Sequence, residues 1–328
     1  MHKIKNIVIN PLFFLFAFFA IFPHIFPIVG GYTYLAVEVL IWSIFATGFN
    51  IVLGYTGLPS FGHGAIFGIG AYALGNVILH VTEQMWIGLL AAIVAGAIFG
   101  GIMGFFVTKK RGIYFSLLTI AFAQMFWFIA WKWRSLTGGE DGIAGIDRQP
   151  IELPGLFSIN LDITINFYYF VYVIFVLAVI TVWIIVHSPF GRVIQAIRYN
   201  EKRVSCLGYN IIMYKWVAFV ISAAFSGLAG GLYALLRHAA FTEIMHWSQS
   251  GNVLLMVILG GGLVSFFGPV VGTIVFLFLR DLISTYTSNW YLIYGLMIMF
   301  TVIFIPEGIL SYFTNRKKKL LKNKLGEK

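Results

Sequence analysis

The residues of this chain that could carry chemistry are few, and their spacing excludes most reactions. No Gly-x-x-x-x-Gly-Lys-[Ser/Thr] run and no Gly-Lys dipeptide occurs, so a phosphate-cradling P-loop cannot form. The seven histidines are scattered, with no His-Glu-x-x-His run and no carboxylates at metal-ligand spacing. Carboxylate pairs within apolar stretches, which an intramembrane protease or a proton relay needs, are missing from the sequence. Arg280 and Asp281 adjoin near one end of an apolar stretch and read as a local ion pair. Glu38 lies near the end of another and reads as interfacial. The single cysteine, Cys206, excludes an internal disulfide and reads as a small buried residue without a redox role. Neither catalysis nor a bound cofactor nor a metal is expected of this chain.

What polar chemistry remains gathers in mid-chain. Ser188-Pro189 breaks an apolar run, and Val193 to Glu201 then reads as a short amphipathic helix. Ile194, Ile197 and either Cys206 or Leu207 share one side; Arg192, Arg198, Lys202 and Arg203 share another. Such a helix can rest on lipid headgroups or insert into a groove on a soluble partner, and periodicity does not choose between them.

The elements that position this loop follow from composition. Of 328 residues, 60% are hydrophobic and 10% charged, whereas soluble domains carry about 25% charge. Apolar runs between charges reach the ~20 residues a membrane span needs. The expected fold is therefore all-α, a polytopic membrane protein of about ten crossings (eight if two late segments are re-entrant). They fall near 11–29, 33–53, 61–80, 86–107, 113–133, 166–187, 212–236, 251–265, 268–284 and 290–306. The start, Lys3-x-Lys5 before an apolar run, lacks a small-x-small cleavage site and reads as the first crossing. The whole of 1–328 reads as one transmembrane domain, with the loop 188–211 inside it and a basic tail at 314–328.

Charge sets the orientation. Lys3/Lys5, Lys109-Lys110-Arg111, Arg192 to Lys215 and Arg316 to Lys328 hold most of the 22 lysines and arginines. Glu83, Glu140 to Asp162 and Glu243 fall in the alternate connections. The positive-inside rule then places both termini and the mid-chain loop in the cytoplasm. Topology accounts for the net charge of +10, so nucleic acid is not an expected partner.

Glycine spacing adds two expectations. Gly96/Gly100/Gly104, Gly64/Gly68, Gly227/Gly231 and Gly268/Gly272 have small-xxx-small spacing, which suits close helix packing inside the chain, or otherwise a dimer interface. Gly57 to Gly62 and Gly262 to Pro269 are similar interruptions on the same side of the membrane, as a parallel internal repeat would place them. Broken helices often line transport paths, which nominates Gly57, Ser60, Gly62, His63, Gly262 and Ser265. His63 also suits a hydrogen bond at a helix start. On the outer side, Gly138-Gly139-Glu140-Asp141 reads as a turn that either shapes a docking site or simply carries solvated carboxylates.

Several blocks resemble a known family. Ser188-Pro189-Phe190-Gly191-Arg192, Ala196-Ile197-Arg198, Asn200-Glu201 and Leu207-Gly208 resemble the coupling loop of ABC importer permeases of the branched-chain amino acid, LivM-type family. Tyr214-Lys215, Ala218 to Ala224 and Ser226 to Ala234 continue the match. Gly54 to Ala65, Gly112 to Gln124 with Leu136 to Gly142, and Leu255 to Gly262 with Phe267 to Gly272 agree with other blocks. The resemblance implies a second related permease in a heterodimer, two cytoplasmic ATP-binding subunits that hold ATP and Mg, and an extracytoplasmic substrate-binding protein. It also implies a bacterial inner membrane and transport of branched-chain or other hydrophobic amino acids, with urea or short amides as the alternative cargo. Within it, Arg192, Arg198, Asn200 and Glu201 anchor the coupling loop, and Gly208 permits the turn into the next span. The sequence departs at Lys202-Arg203, where small residues are usual, implying a more charged interface. A stand-alone secondary transporter would need an intramembrane ion site, which the sequence does not offer.

Overall fold

In the computed structural model, residues 2–25, 32–153, 157–262, 265–287 and scattered positions between 289 and 310 are described. The helices are α1 (His2–Ile25), α2 (Thr33–Asn50), α3 (His63–His80), α4 (Met85–Val107), α5 (Ile113–Lys132), α6 (Arg134–Thr137) and α7 (Thr164–His187). They continue as α8 (Pro189–Tyr199), α9 (Glu201–Cys206), α10 (Ile211–Arg237), α11 (Trp247–Gly260) and α12 (Gly268–Tyr286). Short antiparallel pairs join β1 (Ile143–Ala144) to β4 (Ala239–Ala240), and β2 (Ile151–Leu153) to β3 (Phe157–Ile159). Each expected crossing from 11–29 to 268–284 overlaps a helix; positions 26–29, 263–264 and most of 290–306, like the 314–328 tail, lie outside the described residues.

Six helical stretches among the described residues are long and apolar enough to span a membrane; the first is α2 with its continuation to Tyr55. A helix satisfies its own backbone hydrogen bonds, which hydrocarbon demands of any spanning segment, and the described spans are helical. Their faces are sorted by neighbour. On α4 the exposed stripe Leu90, Val94, Ile98 and Ile102 recurs every fourth residue, as a lipid-facing surface does. The opposite stripe, Gly88, Ala92, Gly96, Gly100 and Gly104, is buried.

That buried stripe meets α10. A Cβ on Gly96 would stand 2.6 Å from the Ala223 carbonyl oxygen and 3.0 Å from the Gly227 Cα. Gly227 in turn packs on Ala92, Gly230 on Phe67 of α3, and Gly272 on Met256 of α11. Small-xxx-small spacing is thus used for packing within the chain. Without a hydrophobic force between helices in lipid, such close backbone contact is a main source of cohesion.

Helix α2 lies at the centre, buried from Leu35 to Asn50 against α7, α10, α11 and α12. α1 is fastened to α7 by tyrosine hydroxyls: Tyr168 donates to the Phe19 carbonyl at 2.6 Å and Tyr172 to the Phe16 carbonyl at 2.9 Å. The C-terminus of α10 is closed by His238 in the left-handed conformation, at φ 55°. Arg148 then donates to the Leu235 and Leu236 carbonyls at 2.9 and 3.1 Å, its guanidinium 3.9 Å from the Phe167 ring centre. A cation on the last carbonyls of a helix satisfies them and complements its dipole.

Candidate functional site

The mid-chain loop is built by caps. Ser188 accepts from the Gly191 amide and Pro189 occupies the first turn, which starts α8. Asn200 accepts from the Arg203 amide and starts α9; Asn210 accepts from Met213 and starts α10. Between them Gly208 adopts φ +85°, a conformation that favours glycine and lets the chain turn back into a span.

Ile194 and Ile197 are buried as periodicity requires, but the third inward residue is Val204, not Cys206 or Leu207. The cap at Asn200 restarts the helix and shifts its phase. Cys206 is therefore exposed, which corrects its reading as a buried residue. Arg192, Lys202, Arg203, Tyr199 and Leu207 face outward with it and form a mixed basic and apolar surface.

On the inner side the loop grips two places. Ile194 packs in a small core with Ile51, Val182, Val186 and Ala218. Arg198 donates from Nη1 to the Gly54 carbonyl. Ile51 and Gly54 both belong to a π-helical turn, Ile51–Tyr55, that ends α2. Such turns leave backbone groups out of the α-helical pattern and recur at functional sites. The second grip is ionic. Glu201 accepts from the buried Lys215 and pairs with Arg111 at 2.7 Å. This brings the 109–111 and 192–215 basic clusters to one end of the molecule.

The candidate path residues are placed around the same turn. Asn50, one turn before Gly54, donates from Nδ2 to the Gly262 carbonyl at 3.0 Å. The end of α2 therefore lies against the start of the second interrupted segment, with Gly54 also facing the Gly262 carbonyl. Gly57 takes φ +77° against Arg198. Ser60 Oγ lies 2.9 Å from His63 Nδ1, and Ser222 Oγ lies 3.0 Å from His63 Nε2. Phe49 and Phe219 close over the buried ring. His63 thus ties the start of α3 to α10. Gly62 packs on Met103, and Ser265 is half-buried.

At the opposite end of α10, Gly138, Gly139 and Gly142 all have positive φ, and Gly142 packs against the Ala240–Phe241 backbone. Glu140 and Asp141 are exposed on this turn. Pairing of β1 with β4 joins it to the rim of a cavity of about 640 Å³. None of the nominated path residues lines that cavity. Nearby, Arg280 does not pair with Asp281; it reaches Glu38 at 2.8 Å, and Asp281 accepts from Tyr32 at 2.7 Å. Glu38 is 2% exposed, so it is a buried partner rather than an interfacial one.

The family described as "Branched-chain amino acid transport system / permease component" matches residues 31–302. The high-affinity branched-chain amino acid transport system permease protein LivM of Salmonella typhimurium is 27% identical over 87% of this chain and 71% of its own length. LivM of Escherichia coli K12 is 27% identical over 91% of this chain and 74% of its own. The permease protein LivH of the same transport system in Salmonella typhimurium is 23% identical over 82% and 91%. No solved structure matches.

Proposed function

The chain belongs to the branched-chain amino acid transport permease family and is a permease subunit of an ABC importer; from that premise we propose that it forms half of a translocation path for leucine, isoleucine and valine. A second, related permease supplies the other half. ATP and Mg are bound and hydrolysed in two cytoplasmic partner subunits, and an extracytoplasmic binding protein delivers the cargo. The membrane is the bacterial inner membrane, with the basic end of the chain and both termini in the cytoplasm, as the positive-inside rule requires.

The observation that carries this reading is the double grip of the mid-chain loop. An ATPase docking on the outward face of α8 and α9 pushes on a body joined to α2 by Ile194 and Arg198. Glu201 joins the same body to α10 through Lys215 and to the α4–α5 connection through Arg111. Closure of the ATPases then moves the central helix and its π-helical end, where the second interruption is bonded through Asn50 and Gly262. At the other end, the turn of Gly138, Gly139, Glu140 and Asp141 receives the binding protein.

Uptake into vesicles that hold the chain with its partner subunits tests the proposal. ATP-dependent leucine uptake is expected. Urea uptake instead keeps the importer and overturns the cargo. Leucine uptake by this chain alone, without ATP, contradicts the proposal.

A further inference from the structure

The cavity at the end of α10 has a composition that fits one ligand chemistry. Its volume of about 640 Å³ lies within the range of small-molecule sites. Trp42, Phe67 and Tyr233 form an aromatic wall, with Trp42 stacked on Phe67 at 5.5 Å and Tyr233 against Phe67 at 5.4 Å. Trp42 is 4% exposed, and its Nε1 has no hydrogen-bond partner among the described residues.

Charges of both signs line the same cavity. Arg280 is neutralised by Glu38. Arg237 is different: its Nε donates to the Tyr233 hydroxyl at 3.1 Å, and its guanidinium stands against the Tyr233 and Tyr34 rings. Among the described residues its terminal nitrogens have no carboxylate partner. Tyr233 thus fixes the plane of the guanidinium and leaves its outer edge to bind. Glu243, on the turn Thr242–Met245, is exposed and also without an ion pair among the described residues.

We propose that this cavity holds an apolar zwitterionic amino acid on its way into the membrane, with Arg237 on the α-carboxylate, Glu243 on the α-ammonium and the aromatic wall on the side chain. A planar guanidinium suits a carboxylate because it can donate two parallel hydrogen bonds. Arg237 and Glu243 are both exposed at the cavity, and a neutral amide such as urea offers neither of them an opposite charge. The location fits: β4 at the cavity rim pairs with β1, beside the Glu140–Asp141 turn where a binding protein would release its cargo.

The inference rests on the amino-acid reading of the cargo, and the test separates the two. Leucine uptake and ATP hydrolysis are measured in the complete importer with its loaded binding protein. Wild type is compared with Arg237→Gln, Arg237→Lys and Glu243→Gln. Each Gln variant should lose about tenfold or more of its uptake, the scale of a lost hydrogen bond to a charged group, while stimulated ATP hydrolysis persists. Arg237→Lys should recover part of the uptake. Uptake in the Gln variants equal to wild type overturns the cavity assignment. So does a parallel loss of uptake and hydrolysis in all three variants, which marks a structural role. Absence of leucine uptake in wild type overturns the cargo reading, and the cavity assignment falls with it.

Discussion

Arg198 of α8 donates to the main-chain carbonyl of Gly54, 144 residues away in the π-helical turn that ends α2. The acceptor is backbone rather than side chain, so the bond follows the position of the helix end itself. It connects a loop lying at the surface to the most buried helix of the bundle. Beside it, Ile194 packs in one cluster with Ile51 of the same turn, and Tyr55 packs against that cluster.

Glu201 and Lys215 should behave as a buried pair. Lys215 is 2% exposed, so Glu201→Gln strands an ammonium away from water. Breaking a buried pair costs about 3–5 kcal/mol, and the partial exposure of Glu201 places this one near the lower figure. The double variant Glu201→Gln/Lys215→Met should recover most of the loss. Thermal melting of the purified protein measures both. Arg111, whose side chain is 64% exposed, should contribute under about 1 kcal/mol.

Packing of α4 on α10 predicts a sharp contrast between glycines. Gly227→Ala brings a methyl against the Ala92 carbonyl and the Gly96 Cα, and overpacking of this kind costs about 1–3 kcal/mol. Gly227→Leu should abolish folded protein. At Gly101 the nearest atom to an added Cβ is 3.7 Å away, so Gly101→Ala should be neutral. Monodisperse yield and melting temperature distinguish the two.

The turn at Gly138 should matter to the binding protein and not to the ATPases. Glu140→Lys with Asp141→Lys reverses two exposed charges without disturbing the glycine geometry. Rim charges act mainly on association rate and on its salt dependence. The variant should bind the delivery protein more weakly by about tenfold at low salt, with the gap narrowing as salt rises. Basal ATP hydrolysis should stay unchanged; surface-binding measurements and an ATPase assay read the two separately.

The legible part of this architecture is what periodicity and charge encode. Apolar runs located the helices, and the basic clusters at Lys109–Arg111 and Arg192–Lys215 do meet at one end, through Glu201 and Arg111. Ile194 and Ile197 were recognisable from their spacing. Val204 was missed because Asn200 restarts the helix, although an Asn before Glu-Lys-Arg is itself a cap signal. The pairing of Arg280 with Asp281 failed for a simple reason: neighbours on a helix point about 100° apart and do not face each other. No local pattern encodes Asn50 with Gly262 or Glu38 with Arg280, which are 212 and 242 residues apart. Among these, a lone Asn within an apolar helix was a usable hint of a buried bond. Arg237 and Glu243 carried no signal, since each reads as an ordinary charge at a membrane boundary.

The central claim is that Arg198 transmits ATPase closure to α2. The most direct measurement is the number of leucine molecules taken up per ATP hydrolysed, for wild type and Arg198→Ala in the complete importer. The account predicts that ATP hydrolysis persists while uptake per ATP falls by about tenfold, since a hydrogen bond from a charged donor is worth about 1.5–3 kcal/mol. An unchanged ratio of uptake to hydrolysis in Arg198→Ala would contradict it.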